Sequence, residues 1–220
     1  MKKIVKALVL LSGGQDSATC LAVALKNYPG QVAAIAFDYG QRHRVELDMA
    51  KKLAKKRCVD LKLINISAIS QLSTNALTSE SVDIEFKPGE LPSTFVPGRN
   101  LIFISYAAIY ARSLGVQDIY TGVCQADFSG YPDCRDSFIK SLNQTLNLAM
   151  DYSFNIITPL MNISKADSVR LMKDIGCLGW YKHTHTCYEG QRPACGRCPS
   201  CLLRLKGFNE AGLLDPIAYI

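Results

Sequence analysis

The chain has 220 residues, 48% of them apolar and 20% charged, with a net charge of +6 and nine cysteines. That length fills the core of one substantial domain and leaves room for a small appendage. No run of eighteen apolar residues occurs, and Met1-Lys2-Lys3-Ile4 leads directly into a first strand, so neither a membrane span nor a removable signal peptide is expected and the expected location is the cytoplasm.

Val5 to Leu11 is an apolar run that predicts a buried strand, and Ala18 to Leu25 predicts a helix. Gln31 to Phe37 predicts a second strand, Val45 to Cys58 a helix and Leu61 to Ile66 a third strand. Lys51, Lys52, Lys55, Lys56 and Arg57 supply much of the positive charge from that helix, where they read as a solvated face; no stable nucleic-acid partner is expected from them. Asn100 to Leu114 predicts a helix capped by Gly115, Asp118 to Val123 a fourth strand, Ser137 to Tyr152 a helix and Asn155 to Leu160 a fifth strand. Ser164-Lys165-Ala166-Asp167 has the form of a capping box opening a helix to Ile175 and Gly176. Strands alternating with helices imply an α/β fold with a doubly wound, mainly parallel five-stranded sheet. Two segments break the rhythm, 67–97 and 180–201; the first has the length of a lid or binding loop. The expected division is a nucleotide-binding α/β domain over 1–176 and a C-terminal metal-binding appendage over 177–220.

Chemistry is concentrated first in Ser12-Gly13-Gly14-Gln15-Asp16-Ser17, between the first strand and the first helix. Two glycines allow a sharp turn and a close backbone approach, and the helix start offers free N–H groups and a positive dipole end to an anion. Ser12 and Ser17 add hydroxyl donors, and Asp16 can hold a divalent cation against the same phosphates. The Walker pattern is absent. Val96-Pro97-Gly98-Arg99-Asn100 and the stretch from Asp127 to Arg135 fall at helix and strand ends, where Arg99 can grip an anion and a carboxylate beside aromatic rings suits a purine-like base.

Five cysteines are scattered, whereas Cys187, Cys195, Cys198 and Cys201 cluster, with two C-x2-C steps sharing Cys198. In a cytosolic protein this spacing favours one structural Zn²⁺ held by four thiolates over a disulfide framework or an iron–sulfur cluster. His183 and His185 read as polar neighbours rather than ligands.

Ser12 to Ser17 resembles the pyrophosphate loop of enzymes that cleave ATP between its α and β phosphates. Together with the Val96–Asn100 segment, Gly122 to Arg135, Ile157 to Met161 with Lys165 to Asp167, Thr186 to Gly190 and the cysteine cluster, nearly the whole chain is similar to the 7-cyano-7-deazaguanine synthase family, in the same motif order. Asp167 stands where that family suggests Glu, and Gln191 to Ala194 is an unusual spacer. The resemblance implies an adenine nucleotide alpha-hydrolase-like fold and a ligase of queuosine precursor synthesis. Such an enzyme converts 7-carboxy-7-deazaguanine and ammonia to the nitrile with ATP and Mg²⁺. It implies that Leu10, Leu11, Ser12, Gly13, Gly14, Gln15, Asp16, Ser17, Ala18, Thr19 and Cys20 surround ATP, with Asp16 and Ser17 catalytic and Phe37 and Tyr39 at the adenosine. Arg99, Asp127, Tyr131, Asp133 and Arg135 are the implied substrate contacts. A homodimer is left open. So are two other readings: a different pyrophosphate-loop enzyme, such as a tRNA sulfur transferase using Cys124 or Cys134 or an ammonia-dependent amide synthetase, and a zinc-containing nucleic-acid-binding module.

Overall fold

The short apolar runs become the five strands of the computed structural model, which describes residues 4–79, 81–85, 90–125 and 130–220. Strands β1 (Ala7–Leu10), β2 (Val32–Asp38), β3 (Asp60–Asn65), β4 (Asp118–Tyr120) and β5 (Asn155–Ile157) form one sheet in the order β3-β2-β1-β4-β5. Every pairing is parallel, and Ala7 of β1 lies opposite Val32 on one side and Asp118 on the other. Among the described residues the helices are α1 (Gln15–Asn27), α2 (Val45–Lys56), α3 (Arg99–Leu114), α4 (Asp136–Met150), α5 (Lys165–Asp174) and α6 (Pro199–Glu210).

The central strands are covered on both faces. Ala7, Val9, Val32, Ala34 and Ala36 pack beneath α1 and α2, while Leu8, Ala33, Ile35 and Phe37 pack beneath α3 and α4. Two-sided burial is why these strands read as unbroken apolar runs instead of alternating ones. Truncating Ile35, which is 1% exposed, to Ala would cost about 2–5 kcal/mol. The strand order reverses between β1 and β4, and in such sheets the crevice beyond that point is where ligands settle. The β1–α1 turn, Leu11 to Gly14, lies on this crevice.

Several expected boundaries shift for physical reasons. β4 ends at Tyr120: the Thr121 N–H still donates to the Ile157 carbonyl at 3.0 Å, and Thr121, Gly122 and Val123 then line the crevice. β5 ends at Ile157, two residues before Pro159, which has no N–H to give a ladder. The lysine-rich helix stops at Lys56; Lys51, Lys52, Lys55 and Lys56 are exposed while Leu53 and Ala54 are buried, the solvated face expected. Ser164 does cap α5, its hydroxyl oxygen accepting the Asp167 N–H at 3.1 Å. The segment 180–201 is less irregular than its cysteines suggested. A 3-10 turn spans Leu178–His183, and α6 starts inside the cysteine cluster, with Cys198 as its N-cap and Pro199 in its first turn.

The C-terminal part is tied to the rest by packing and by one buried charge network. Val169 and Met172 of α5 meet Tyr181, Phe208 of α6 and Ala22 of α1 in one apolar cluster. Arg204, 1% exposed, donates to both Asp215 oxygens at 2.7 and 2.8 Å and to the Thr184 hydroxyl at 2.7 Å. Tyr219 donates to the same carboxylate at 2.6 Å. A buried guanidinium requires such complete pairing.

Candidate functional site

Gly14 is the N-cap of α1 and no side chain caps that helix, so the first N–H groups open onto the crevice. Gly13 is at φ +92°, and a Cβ built there would stand 2.1 Å from the Glu46 carbonyl oxygen, so only glycine lets the loop lie this close to α2. Ser17 braces the turn: its hydroxyl donates to the Gly14 carbonyl at 3.0 Å and its oxygen accepts the Gly13 N–H at 3.1 Å. Ser12 lies 3.2 Å from the Ser17 hydroxyl. The loop is therefore preformed, with hydroxyls and helix-start amides on the same side.

Asp16 meets a partner that the sequence reading assigned no role. Lys165, the first residue of α5, donates to both Asp16 oxygens at 2.7 and 2.9 Å. The Lys165 side chain is 9% exposed and that of Asp16 is 34% exposed. A cation in the first turn of a helix opposes the helix dipole, so its placement there marks a requirement other than helix stability. The lysine stem passes tightly over α6, since a Cβ on Gly207 would lie 2.5 Å from Lys165 Cγ.

Both residues belong to the wall of a cavity of about 520 Å³. The wall includes Leu10, Leu11, Ser12, Gly14, Gln15, Asp16, Ser17 and Lys165. Phe37 stands at the end of β2, its ring stacked on Phe103 at 4.5 Å between centroids, with Tyr39 5.4 Å from Phe103. The wall also includes Glu46, Arg99, Tyr131 and Tyr188, with the Arg99 guanidinium 5.9 Å from the Tyr39 ring centre and 5.8 Å from that of Tyr131. Withdrawal from solvent pushes the Glu46 carboxyl up to about 7, against the pull of Arg99. The long 67–97 segment contributes Leu77, Ile84, Glu85, Pro92 and Thr94 to the wall, and the Thr94 hydroxyl lies 2.6 Å from that of Tyr131.

Not all the expected contacts converge. Gly13 sits behind the cavity surface against α2, and the side chains of Ala18, Thr19 and Cys20 are buried in the core, Thr19 hydrogen-bonded to Tyr181 at 2.7 Å. Asp133 turns away from the cavity: it accepts the Asn100 N–H at 3.0 Å and so anchors the start of α3. Arg135 is exposed and outside the wall. Asp127 lies outside the described residues. Cys124 and Cys134 reach the cavity, but burial pushes the Cys134 thiol up to about 11, which leaves it protonated at neutral pH and a poor nucleophile. Lys165 belongs to a segment that carries the resemblance but was given no role there, and Glu46 was not singled out at all. The helix-start cation was the available signal for the first, and nothing local singled out the second.

The four clustered cysteines converge as expected. Their sulfurs all lie within 4.8 Å of one another and all four residues are buried. Cys195 Sγ is 3.9 Å from Cys201 Sγ, against an edge of about 3.8 Å for a tetrahedron with ~2.3 Å Zn–S bonds. The Cys195 and Cys198 N–H groups point at the sulfurs of Cys187 and Cys195, at 3.5 and 3.3 Å, as donors to thiolate ligands do. The set fits a four-coordinate cation such as zinc. His183 and His185 stay outside it among the described residues. The same segment reaches the loop: the His185 N–H donates to the Gly13 carbonyl at 3.0 Å, and Thr186, Cys187, Tyr188, Pro199, Ser200 and Leu203 line the cavity.

The family model described as queuosine biosynthesis protein QueC matches residues 6–212. A 7-cyano-7-deazaguanine synthase from Bacillus subtilis (strain 168) is 52% identical over 207 residues, covering 93% of this chain and 94% of the relative. Among solved structures, the U34-tRNA thiolase NcsA from Methanococcus maripaludis with its [4Fe-4S] cluster is 20% identical at a TM-score of 0.49, over 84% of this chain and 61% of that one. NMN synthetase from Francisella tularensis is 16% identical at a TM-score of 0.43, over 79% of this chain and 63% of that one. The NH3-dependent NAD synthetase from Campylobacter jejuni is 14% identical at a TM-score of 0.43, over 94% and 83%. Likenesses this distant bear on neither substrate nor chemistry.

Proposed function

The chain belongs to the QueC family of queuosine biosynthesis proteins, and we propose that it makes 7-cyano-7-deazaguanine from 7-carboxy-7-deazaguanine and ammonia, using ATP for two activations in one cavity. The observation that carries the chemistry is that one cavity is lined both by the pyrophosphate loop with Asp16 and Lys165 and by Arg99, Glu46 and the aromatic wall.

A carboxylate is a poor electrophile at neutral pH. Its oxygen attacks the α phosphorus of ATP, pyrophosphate leaves, and the acyl adenylate is open to ammonia, which displaces AMP and gives the amide. The amide oxygen then attacks a second ATP. Loss of AMP, with the two nitrogen protons, leaves the nitrile. Each oxygen of the original carboxylate thus departs on an AMP. In both rounds the α1 amides and the Ser12 and Ser17 hydroxyls hold the departing pyrophosphate, and Lys165 places a cation where negative charge develops. Mg²⁺ bound with ATP would supply further charge neutralisation, with Asp16 the carboxylate available to it. Phe37 offers a ring face to the adenine. Cys187, Cys195, Cys198 and Cys201 would hold Zn²⁺ in a closed four-sulfur site, which leaves it a structural part.

The test is incubation with ATP, Mg²⁺, ammonium and 7-carboxy-7-deazaguanine, followed by mass analysis. The nitrile, AMP and pyrophosphate are expected, and synthetic 7-amido-7-deazaguanine should give the nitrile without ammonium. ADP and phosphate as direct products would refute the role given to the loop. An amide that is bound but never converted would reduce the enzyme to an amide synthetase.

A further inference from the structure

Glu46 is a cavity carboxylate beside Arg99 that the chemistry above leaves without a task. It is in the first turn of α2, where an acid favours the helix dipole, but Asp48 in the same turn already does that from solvent, its side chain 65% exposed. Glu46 instead lines the cavity, in the electrostatic reach of Arg99, Tyr39 and Tyr188. Among the described residues, no hydrogen bond or ion pair is formed by its carboxylate. A carboxylate withdrawn from water without a donor is costly, and a ligand that brings donors removes that cost.

The neighbours specify which donors fit. A carboxylate presents two adjacent acceptors, and the Arg99 guanidinium nearby presents N–H donors only. Acceptor, acceptor, donor is the complement of the 2-amino, N1–H and 6-oxo edge of a guanine-type base. The flanking rings of Tyr39, Tyr131 and Tyr188 suit a flat heterocycle. An adenine-type edge offers no N1–H and would meet the Glu46 oxygens with a lone pair.

We propose that Glu46 is the specificity-determining residue of the base site, accepting from the 2-amino and N1–H groups of a guanine-type heterocycle while Arg99 donates to its 6-oxo group. The assignment deepens the proposed function and rests on its reading that the substrate is a 7-deazaguanine. Binding of the unreactive base, measured by calorimetry on the full chain, separates the two. Wild type should bind 7-deazaguanine about 10–100-fold more tightly than 7-deazahypoxanthine, which lacks the 2-amino group, the size expected for one charge-assisted hydrogen bond. Glu46→Gln, which keeps shape and loses charge, should bring the two bases to within about threefold, with ATP affinity unchanged as the sign of an intact site. Glu46→Asp, which keeps the charge on a shorter stem, should restore part of the preference. Equal binding of the two bases by wild type, or a preference that survives Glu46→Gln, would overturn the assignment. Wild type that discriminates through Glu46 but forms no nitrile would uphold it and refute the proposed reaction instead.

Discussion

Removing either partner of the Asp16–Lys165 pair should have unequal effects on stability, and the inequality follows from the geometry. Asp16→Asn takes the full negative charge from an ammonium that is 9% exposed and bound at 2.7 and 2.9 Å. Breaking a fully buried pair from one side costs about 3–5 kcal/mol; the retained amide oxygen and the partial exposure of Asp16 lower this to roughly 2–3 kcal/mol. Lys165→Met leaves instead a carboxylate that is 34% exposed and can be rehydrated, at a cost of about 1 kcal/mol. For a chain of this length that is a fall in Tm of about 4–12 °C for Asp16→Asn and about 2–4 °C for Lys165→Met. The double variant should be more stable than Asp16→Asn alone, because the stranded cation is gone. Scanning calorimetry measures the three differences, and pyrophosphate release should fall about 10²–10³-fold in each variant. A larger Tm loss for Lys165→Met than for Asp16→Asn would refute the burial argument. Lys165→Met with near-normal pyrophosphate release would refute the electrostatic role.

Gly207→Ala should lower pyrophosphate release about tenfold or more although Gly207 is on α6, because the new Cβ would stand 2.5 Å from Lys165 Cγ and 2.9 Å from its Cβ; an unchanged rate would show that Lys165 has room to give. Elemental analysis should find about one zinc per chain, and Cys201→Ser or a strong chelator should reduce both the metal content and the thermal stability. Iron with labile sulfide would contradict the structural zinc site. Glu46→Gln should raise Tm relative to wild type by an amount that grows with pH. The folded Glu46 carboxyl titrates near 7 instead of 4.5, so wild type loses stability as pH rises from about 4.5 to about 7 and no more above it. A pH-independent difference between the two proteins would refute the desolvation of the Glu46 carboxyl.

The alternation of parallel strands with helices and the glycine turn after β1 were legible because they rest on local chemistry. Two-sided burial writes β1 and β2 as apolar runs, and the glycines mark a sharp turn at that junction. Strand ends were less legible, since Thr121 to Val123 continue an apolar pattern while serving the cavity. α6 was hidden by its cysteines, which drew attention to ligands rather than to the helix that presents two of them. Lys165 lies 149 residues from Asp16, and Glu46 meets Arg99 only through the fold. Conversely, the resemblance implied Asp133 as a substrate contact, yet its carboxylate accepts the backbone N–H of Asn100.

The hydrogen bond from His185 to Gly13 has a thermodynamic consequence. Only Thr186 separates His185 from Cys187, so a cation that fixes the Cys187 backbone also removes residual freedom from the β1–α1 loop, the proposed phosphate site. Binding at the sulfurs and binding at the loop then share one ordering entropy, and whichever ligand arrives first lowers the cost for the other. Reciprocity makes the two effects equal: the factor by which the cation tightens nucleotide binding is the factor by which nucleotide tightens the cation. Saturating ATP should therefore slow the transfer of metal from the four sulfurs to a chelator, and a protein starved of the metal should lose nucleotide affinity before it loses its fold.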